Sequence, residues 1–166
     1  LLRAPESVIV LLADFQTMES AGLAVSEITA AGLMPSGMEI MDNFMIKAVN
    51  DLFGEEEYPS NAGAVLLVEI DGQVAEVKAA ADQAIQLCKA AGAGGIRRAE
   101  AEFERARLWK GRKSAFAAVG KISANYYVQD GVVPRTSLPK VLASIERLSK
   151  IYGLPVANVF HAGDGN

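Results

Sequence analysis

The only histidine of this 166-residue chain sits in the closing run His161-Ala162-Gly163-Asp164-Gly165-Asn166. An imidazole beside a glycine-flanked carboxylate can ligate a metal or move a proton near neutral pH. Either task needs partners. One ligand does not make a metal centre, and a lone histidine is commonly a core residue. Asp164 and Gly165 alone specify only a tight turn. The expectation from this ending is one domain of a larger enzyme, with the functional site divided between residues 1–166 and a segment beyond Asn166.

Arg112 is the second candidate. Leu108 and Trp109 precede it by four and three residues, and Ala115 and Phe116 follow it by three and four. On a helix these are same-face neighbours, so the guanidinium emerges from an apolar stripe. Two readings stay open. The planar fork could meet a carboxylate, or the stem could pack while the head reaches water. Around it, residues 97–113 hold seven basic and three acidic side chains. The interleaving of Glu100, Glu102 and Glu104 makes a solvated helix surface a better reading than an anion-attracting face.

Asp130-Gly131-Val132-Val133-Pro134-Arg135 forms a turn and a stiffened approach to the last helix. Arg135 could point at a ligand or serve the helix start. Glu39 lies between Met38 and Ile40 in a strand-like segment, where alternation would most often send it to solvent. Gly92 to Gly95 lack the Lys-Ser/Thr of a phosphate loop and close a helix where such a loop would open one, so they carry no nucleotide role.

The elements that must position these residues follow from periodicity. Residues 7–13 and 64–70 are short apolar runs that read as buried strands. Helical spacing covers residues 17–31, with Thr17 or Asp14 as cap, and Gly32 with Pro35 ends it. A second strand is expected over 38–41, then a helix over 42–53 and a loop over 54–63. The helix over 73–91 leads to a short strand at 96–99. This order is that of a ferredoxin-like α+β fold, an antiparallel sheet with helices on one face and one inserted helix. Beyond it lie a helix over 100–119, a long connection with strand character at 125–128, and an amphipathic helix over 138–151 capped by Ser137. A last strand over 155–160 is expected to await a hairpin partner past Asn166, so the sheet reads as truncated at its C-terminal end.

Composition narrows the function classes. Hydrophobic residues at 51% and charged residues at 22% argue against disorder, and the length suits one domain over residues 1–166. A net charge of −4 disfavours nucleic acid as a partner. No apolar stretch approaches the roughly 18 residues of a membrane span, and the first residues lack a signal-peptide layout. Cys88 is the only cysteine, which excludes an internal disulfide and makes a cytoplasmic setting the default. It shares an apolar helical face with Val74, Val77, Ala81 and Ile85 and reads as a buried structural thiol.

Taken together, Trp109-Lys110-Gly111-Arg112, Asp130 to Arg135 and the closing run from His161 to Asn166 resemble, in order and spacing, the C-terminal domain of FAD-linked oxidases of the vanillyl-alcohol oxidase type. Pro35-Ser36-Gly37-Met38-Glu39-Ile40-Met41-Asp42 is similar to the acidic-residue strand of that family. Within it, the large FAD-binding subunits of bacterial glycolate oxidases are most similar, with D-lactate and D-2-hydroxyglutarate dehydrogenases as relatives.

That resemblance implies a two-domain flavoenzyme in which another domain holds most of the FAD and this one caps the flavin and supplies the substrate pocket. A 2-hydroxy acid would give its hydride to flavin and become a 2-oxo acid. Arg112 and Arg135 would bind substrate, His161 would serve as metal or substrate ligand, and Asn166 would contact the cofactor. A divalent metal is implied for the full enzyme. The family motif continues to a second histidine and a Glu-His pair that this chain lacks, so the chain alone is expected to be inactive. Phe116 stands where dicarboxylate-specific relatives carry a hydroxyl residue, which favours a small monocarboxylate. The resemblance also implies the flavin domain and other oxidase subunits as partners, with the complex peripheral to the inner membrane. Two alternatives remain: a stand-alone ferredoxin-like module that binds a small ligand, and a structural interaction domain in which Arg112 and His161 are incidental.

Overall fold

The computed structural model describes residues 4–163. Its strands are β1 (Ser7–Phe15), β2 (Gly37–Asp42), β3 (Ala64–Gly72), β4 (Gly95–Ala99) and β5 (Val159–His161). Its helices are α1 (Met18–Ala30), α2 (Asn43–Phe53), α3 (Val74–Ala90), α4 (Glu102–Lys113), α5 (Ala115–Ile122) and α6 (Leu138–Tyr152). The strands form one five-stranded sheet in the order β4-β1-β3-β2-β5, antiparallel throughout. The α+β antiparallel fold class is therefore as expected.

Helix cover differs from the expectation of a single face. Ile9, Leu11, Ala13 and Phe15 of β1 pack with α1, α3 and the start of α6. Their alternates Val10 and Leu12 pack instead with α2, Leu108 of α4, and Ala115 and Ala118 of α5. The reason is legible in β1 and β3. Both are apolar at successive positions, without the apolar–polar alternation of a half-solvated strand, so both sheet faces need cover. Cys88 is buried on the α3 face, as read from the spacing.

Local chemistry sets the ends. Thr17 Oγ1 accepts from the Ser20 backbone N–H at 3.1 Å and caps α1. Asp42 does the same for α2, accepting from Met45 N–H at 2.8 Å. Ser137 occupies the cap position of α6 but makes no side-chain cap bond, contrary to expectation. The expected helix over 100–119 is two helices meeting at Ser114. Residues 123–134 form neither helix nor strand, so the strand character expected at 125–128 is not realised. The final strand is shorter and later than expected, and it does not wait for a partner. It pairs along β2. None of the described helices is long and apolar enough to cross a membrane.

Candidate functional site

The pairing of β5 with β2 builds the site. Glu39 lies directly opposite His161 in that ladder. Ala162 N–H bonds Met38 O at 2.7 Å, and Asp42 N–H bonds Asn158 O at 3.1 Å. Glu39 and His161 fall between these bonded pairs, in a non-hydrogen-bonded pair whose side chains approach more closely. His161 Nδ1 lies 2.8 Å from Glu39 Oε1. A carboxylate can only accept, so Nδ1 carries the hydrogen of this bond.

Arg112 completes the cluster from α4, donating Nε–H to Glu39 Oε2 at 2.7 Å. Each oxygen of one carboxylate thus holds a different partner, one from a strand and one from a helix. Glu39 is 8% exposed. Its alternation-based assignment to solvent is corrected. The face it points to is covered by α4, and the carboxylate there is compensated by a guanidinium. Of the two readings for Arg112, the carboxylate-paired one holds, and the carboxylate belongs to the protein itself.

Three contacts fix α4 over this point. Trp109 Nε1–H donates to Glu69 Oε2 of β3 at 2.5 Å, and its ring lies where a Cβ on Gly37 would approach to 3.2 Å. Lys110 Nζ sits 4.4 Å over the Phe53 ring of α2. Tyr58, fully buried, donates its hydroxyl to Leu108 O at 2.5 Å. Burial raises the Tyr58 hydroxyl far above its ordinary range, opposed in part by the Arg112 backbone N–H. A phenol inserted into the backbone ladder of a helix bends it, and here the helix breaks two residues past Arg112. The same-face relation expected between Arg112 and Phe116 is interrupted at that break. Phe116 stands in α5 and is 54% exposed.

The loop that delivers Tyr58 is held by Asn50. This buried amide accepts from Glu57 and Tyr58 N–H at 3.0 and 3.1 Å and donates to Tyr58 O at 2.8 Å. Glu57, itself buried, takes Arg107 Nε–H on Oε2 at 2.5 Å. Asp42 secures the other side of the site. Its Oδ2 accepts from both the backbone and the side chain of Asn158, at 2.7 and 2.8 Å, three residues before His161. Burial raises the Asp42 carboxyl above its usual value, against the pull of these N–H donors.

Glu39, Tyr58, Asn50 and Asp42 are the site-building residues that sequence reasoning misses or misplaces. A signal exists for two of them. Glu39 interrupts an apolar strand, and Asn50 interrupts the apolar face of α2 that carries Ile46 and Val49. Arg112 and His161 do come together. The backbone of Arg135 opens a 3-10 turn over Arg135–Ser137 before α6, but its side chain is not among those described. Asp164 and Asn166 lie outside the described residues. Gly92 to Gly95 follow α3 and lead into β4. Among the described residues, no three His, Cys, Asp or Glu side chains converge as a metal centre would require. Of the described residues, His161 is the one imidazole at this point, and Glu39 beside it is already engaged by Arg112.

Comparison with known proteins gives this cluster a context. The E. coli (strain K12) glycolate oxidase subunit GlcD is 51% identical over the whole chain, which spans 33% of that relative. The Bacillus subtilis subunit of the same name is 30% identical, with 35% of its length covered. A D-lactate dehydrogenase of Anaerostipes hadrus is 26% identical over 98% of the chain and 36% of the relative. The chain thus spans about a third of the length of the curated relatives it matches. Among solved structures, an alkyldihydroxyacetonephosphate synthase superposes with a TM-score of 0.67 at 13% identity, over 96% of this chain and 34% of that one, which speaks for the fold alone. Residues 4–166 match the family described as FAD linked oxidases, C-terminal domain, and the chain belongs to that family.

Proposed function

We propose that residues 1–166 form the substrate-binding cap domain of an FAD-dependent 2-hydroxy-acid oxidoreductase of the glycolate oxidase or D-lactate dehydrogenase kind. The observation that carries this reading is the buried Glu39 carboxylate, which orients an arginine and an imidazole at one point of the sheet edge. An arginine held through Nε presents its Nη nitrogens as a preset fork for a substrate carboxylate. An imidazole whose Nδ1 is held by Glu39 has its ring orientation set, which would let it steer the 2-hydroxyl. One group binds the acid, and the other orients the carbon that reacts.

FAD, when bound, would supply the hydride acceptor for a 2-hydroxy acid held by these residues. The hydroxyl proton would pass to a base outside residues 1–166, and the product would be the 2-oxo acid. This chain's share of the work is to fix the carboxylate on Arg112, aided by Arg135, and to steer the hydroxyl with His161. Asn166 is assigned to the flavin side. His161 would also be the residue of this chain to ligate a divalent metal in the full-length enzyme, where such an ion would polarise the 2-hydroxyl. The substrate class proposed is a small monocarboxylate such as glycolate or D-lactate.

The flavin itself is held mainly by a separate domain. Exposed apolar side chains near the end of α6, including Ile151, Tyr152 and Leu154, offer surface for that domain or for neighbouring oxidase subunits. Such a complex would be cytoplasmic, peripheral to the inner membrane. The chain alone should turn over neither acid, and turnover without an added flavin domain would overturn this assignment. The decisive test is the visible spectrum of the flavin-containing full-length protein, before and after anaerobic addition of glycolate or D-lactate. Bleaching is expected. Bound flavin that ignores both acids would reject the substrate class.

A further inference from the structure

We infer that Tyr58 is a positioning residue for substrate binding, acting through Arg112. Its hydroxyl bonds the Leu108 carbonyl, which belongs to the residue four before Arg112 in α4. In a regular helix that carbonyl accepts from the Arg112 N–H. The phenol therefore enters the backbone turn that carries the arginine. The approach depends on Gly111, where a Cβ would lie 2.5 Å from Tyr58 Cε2 and closer still to the hydroxyl oxygen. Glycine at 111 is thus what lets the ring reach the helix backbone. A buried hydroxyl takes a hydrogen-bond partner, and here that partner lies in the turn bearing the arginine paired to Glu39.

The latch has its own support. Asn50 holds the Tyr58 backbone by both its N–H and its C=O, so the position of the phenol is set from α2. Trp109 holds the same turn of α4 from β3. Arg112 is thereby fixed between two anchors, with its Nε directed to Glu39. Removing the hydroxyl leaves the ring in place and frees the turn, so the guanidinium loses its preset direction without losing its charge.

This inference rests on the proposed role of Arg112 as the carboxylate ligand, and the test separates the two. In the flavin-containing holoenzyme, Tyr58→Phe, Arg112→Lys and the double variant are compared. The readouts are KM and kcat for glycolate or D-lactate, and Kd for oxalate followed by perturbation of the flavin spectrum. Loss of one positioning hydrogen bond predicts a rise of about three- to ten-fold in Kd and KM for Tyr58→Phe, with kcat within about two-fold. In the Arg112→Lys background the same change should add less than about two-fold. Equal effects in both backgrounds, or no effect of Tyr58→Phe beside a large effect of Arg112→Lys, would overturn the latch. An unchanged Kd in Arg112→Lys would instead overturn the site assignment on which it rests. If Tyr58→Phe does not fold, 4-aminophenylalanine at position 58 keeps a donor at the same place. A Kd near that of the wild type then supports the latch, and a Kd raised more than about ten-fold refutes it.

Discussion

Gly111→Ala tests the packing beneath this arrangement most directly, because two opposing effects meet there. In an exposed helix interior, replacing glycine by alanine stabilises by about 0.5–1 kcal/mol through backbone entropy. At Gly111 the new Cβ would collide with the Tyr58 hydroxyl oxygen and lie 2.5 and 2.6 Å from its Cε2 and Cζ. These atoms are the end of a fully buried ring whose backbone Asn50 holds. Neither partner can yield easily, since Trp109 and Arg112 also tie α4 to the sheet. Overpacking of this kind costs about 1–3 kcal/mol, and a displaced Tyr58–Leu108 bond adds about 0.5–1.5 kcal/mol.

The clash wins over the entropy. Net destabilisation should be roughly 1–4 kcal/mol, which lowers the Tm of a chain this long by about 2–16 °C. Gly120→Ala is the internal control. It also lies in a helix, but its nearest neighbour would be Tyr126 Cε1 at 3.9 Å, so this change should raise Tm slightly. Thermal and urea unfolding followed by far-UV circular dichroism reads both. Shortening the opposing ring, as Tyr58→Leu in the Gly111→Ala background, should give a cost well below the sum of the two single changes. If Gly111→Ala stabilises as much as Gly120→Ala, the close approach of Tyr58 to α4 is wrong.

Glu39→Gln should destabilise by about 1–3 kcal/mol in urea unfolding. It leaves the largely buried Arg112 guanidinium without its counter-charge, and an unchanged midpoint would show that the pair is dispensable. Burial raises the Cys88 thiol to about 11, so iodoacetamide at mildly alkaline pH should label it only after unfolding; rapid labelling of the folded chain would contradict its place in the core. Asp42 has its carboxyl raised by burial from an ordinary value of 3.8, so the folded state keeps its proton to higher pH than the unfolded one. Its contribution is full below the unfolded value and declines as pH rises through the folded value. The Tm of wild type minus that of Asp42→Asn should therefore fall as pH increases through that window, and a rise would refute the assignment.

Much of this fold is legible in the sequence, and the failures have physical causes. Strands β1 and β3 stand out as apolar runs, and those runs already specify two covered faces. Counting helices against a ferredoxin-like template hides that message, whereas asking where Val10 and Leu12 can go recovers it. The break at Ser114 is only partly legible locally. Residues 102–122 carry no proline, and Gly111 and Ser114 are the local signals near the break, while the hydroxyl that enters the preceding turn comes from Tyr58, far earlier in the chain. Strand β5 escapes a local reading for a related reason. Its partner is β2, which lies far away in sequence, and local patterns can supply only hairpin neighbours.

Glu39 shows how a rule of thumb and a charge argument should be ranked. Alternation sends an isolated strand carboxylate to solvent when one face of the sheet is wet. Once both faces are covered, a carboxylate in the strand interior must be paired or neutral. The chain holds an arginine rising from an apolar helical stripe that is itself in need of a carboxylate. Two costly groups of opposite sign, each embedded among apolar residues, are each other's best partners. The same reasoning turns Trp109-Lys110-Gly111-Arg112 from a signature into a mechanism. Tryptophan fastens α4 to β3, lysine caps an aromatic ring of α2, glycine admits the phenol of Tyr58, and arginine reaches the carboxylate. Each residue type is the one its contact demands, and the four contacts together leave the guanidinium one direction in which to point.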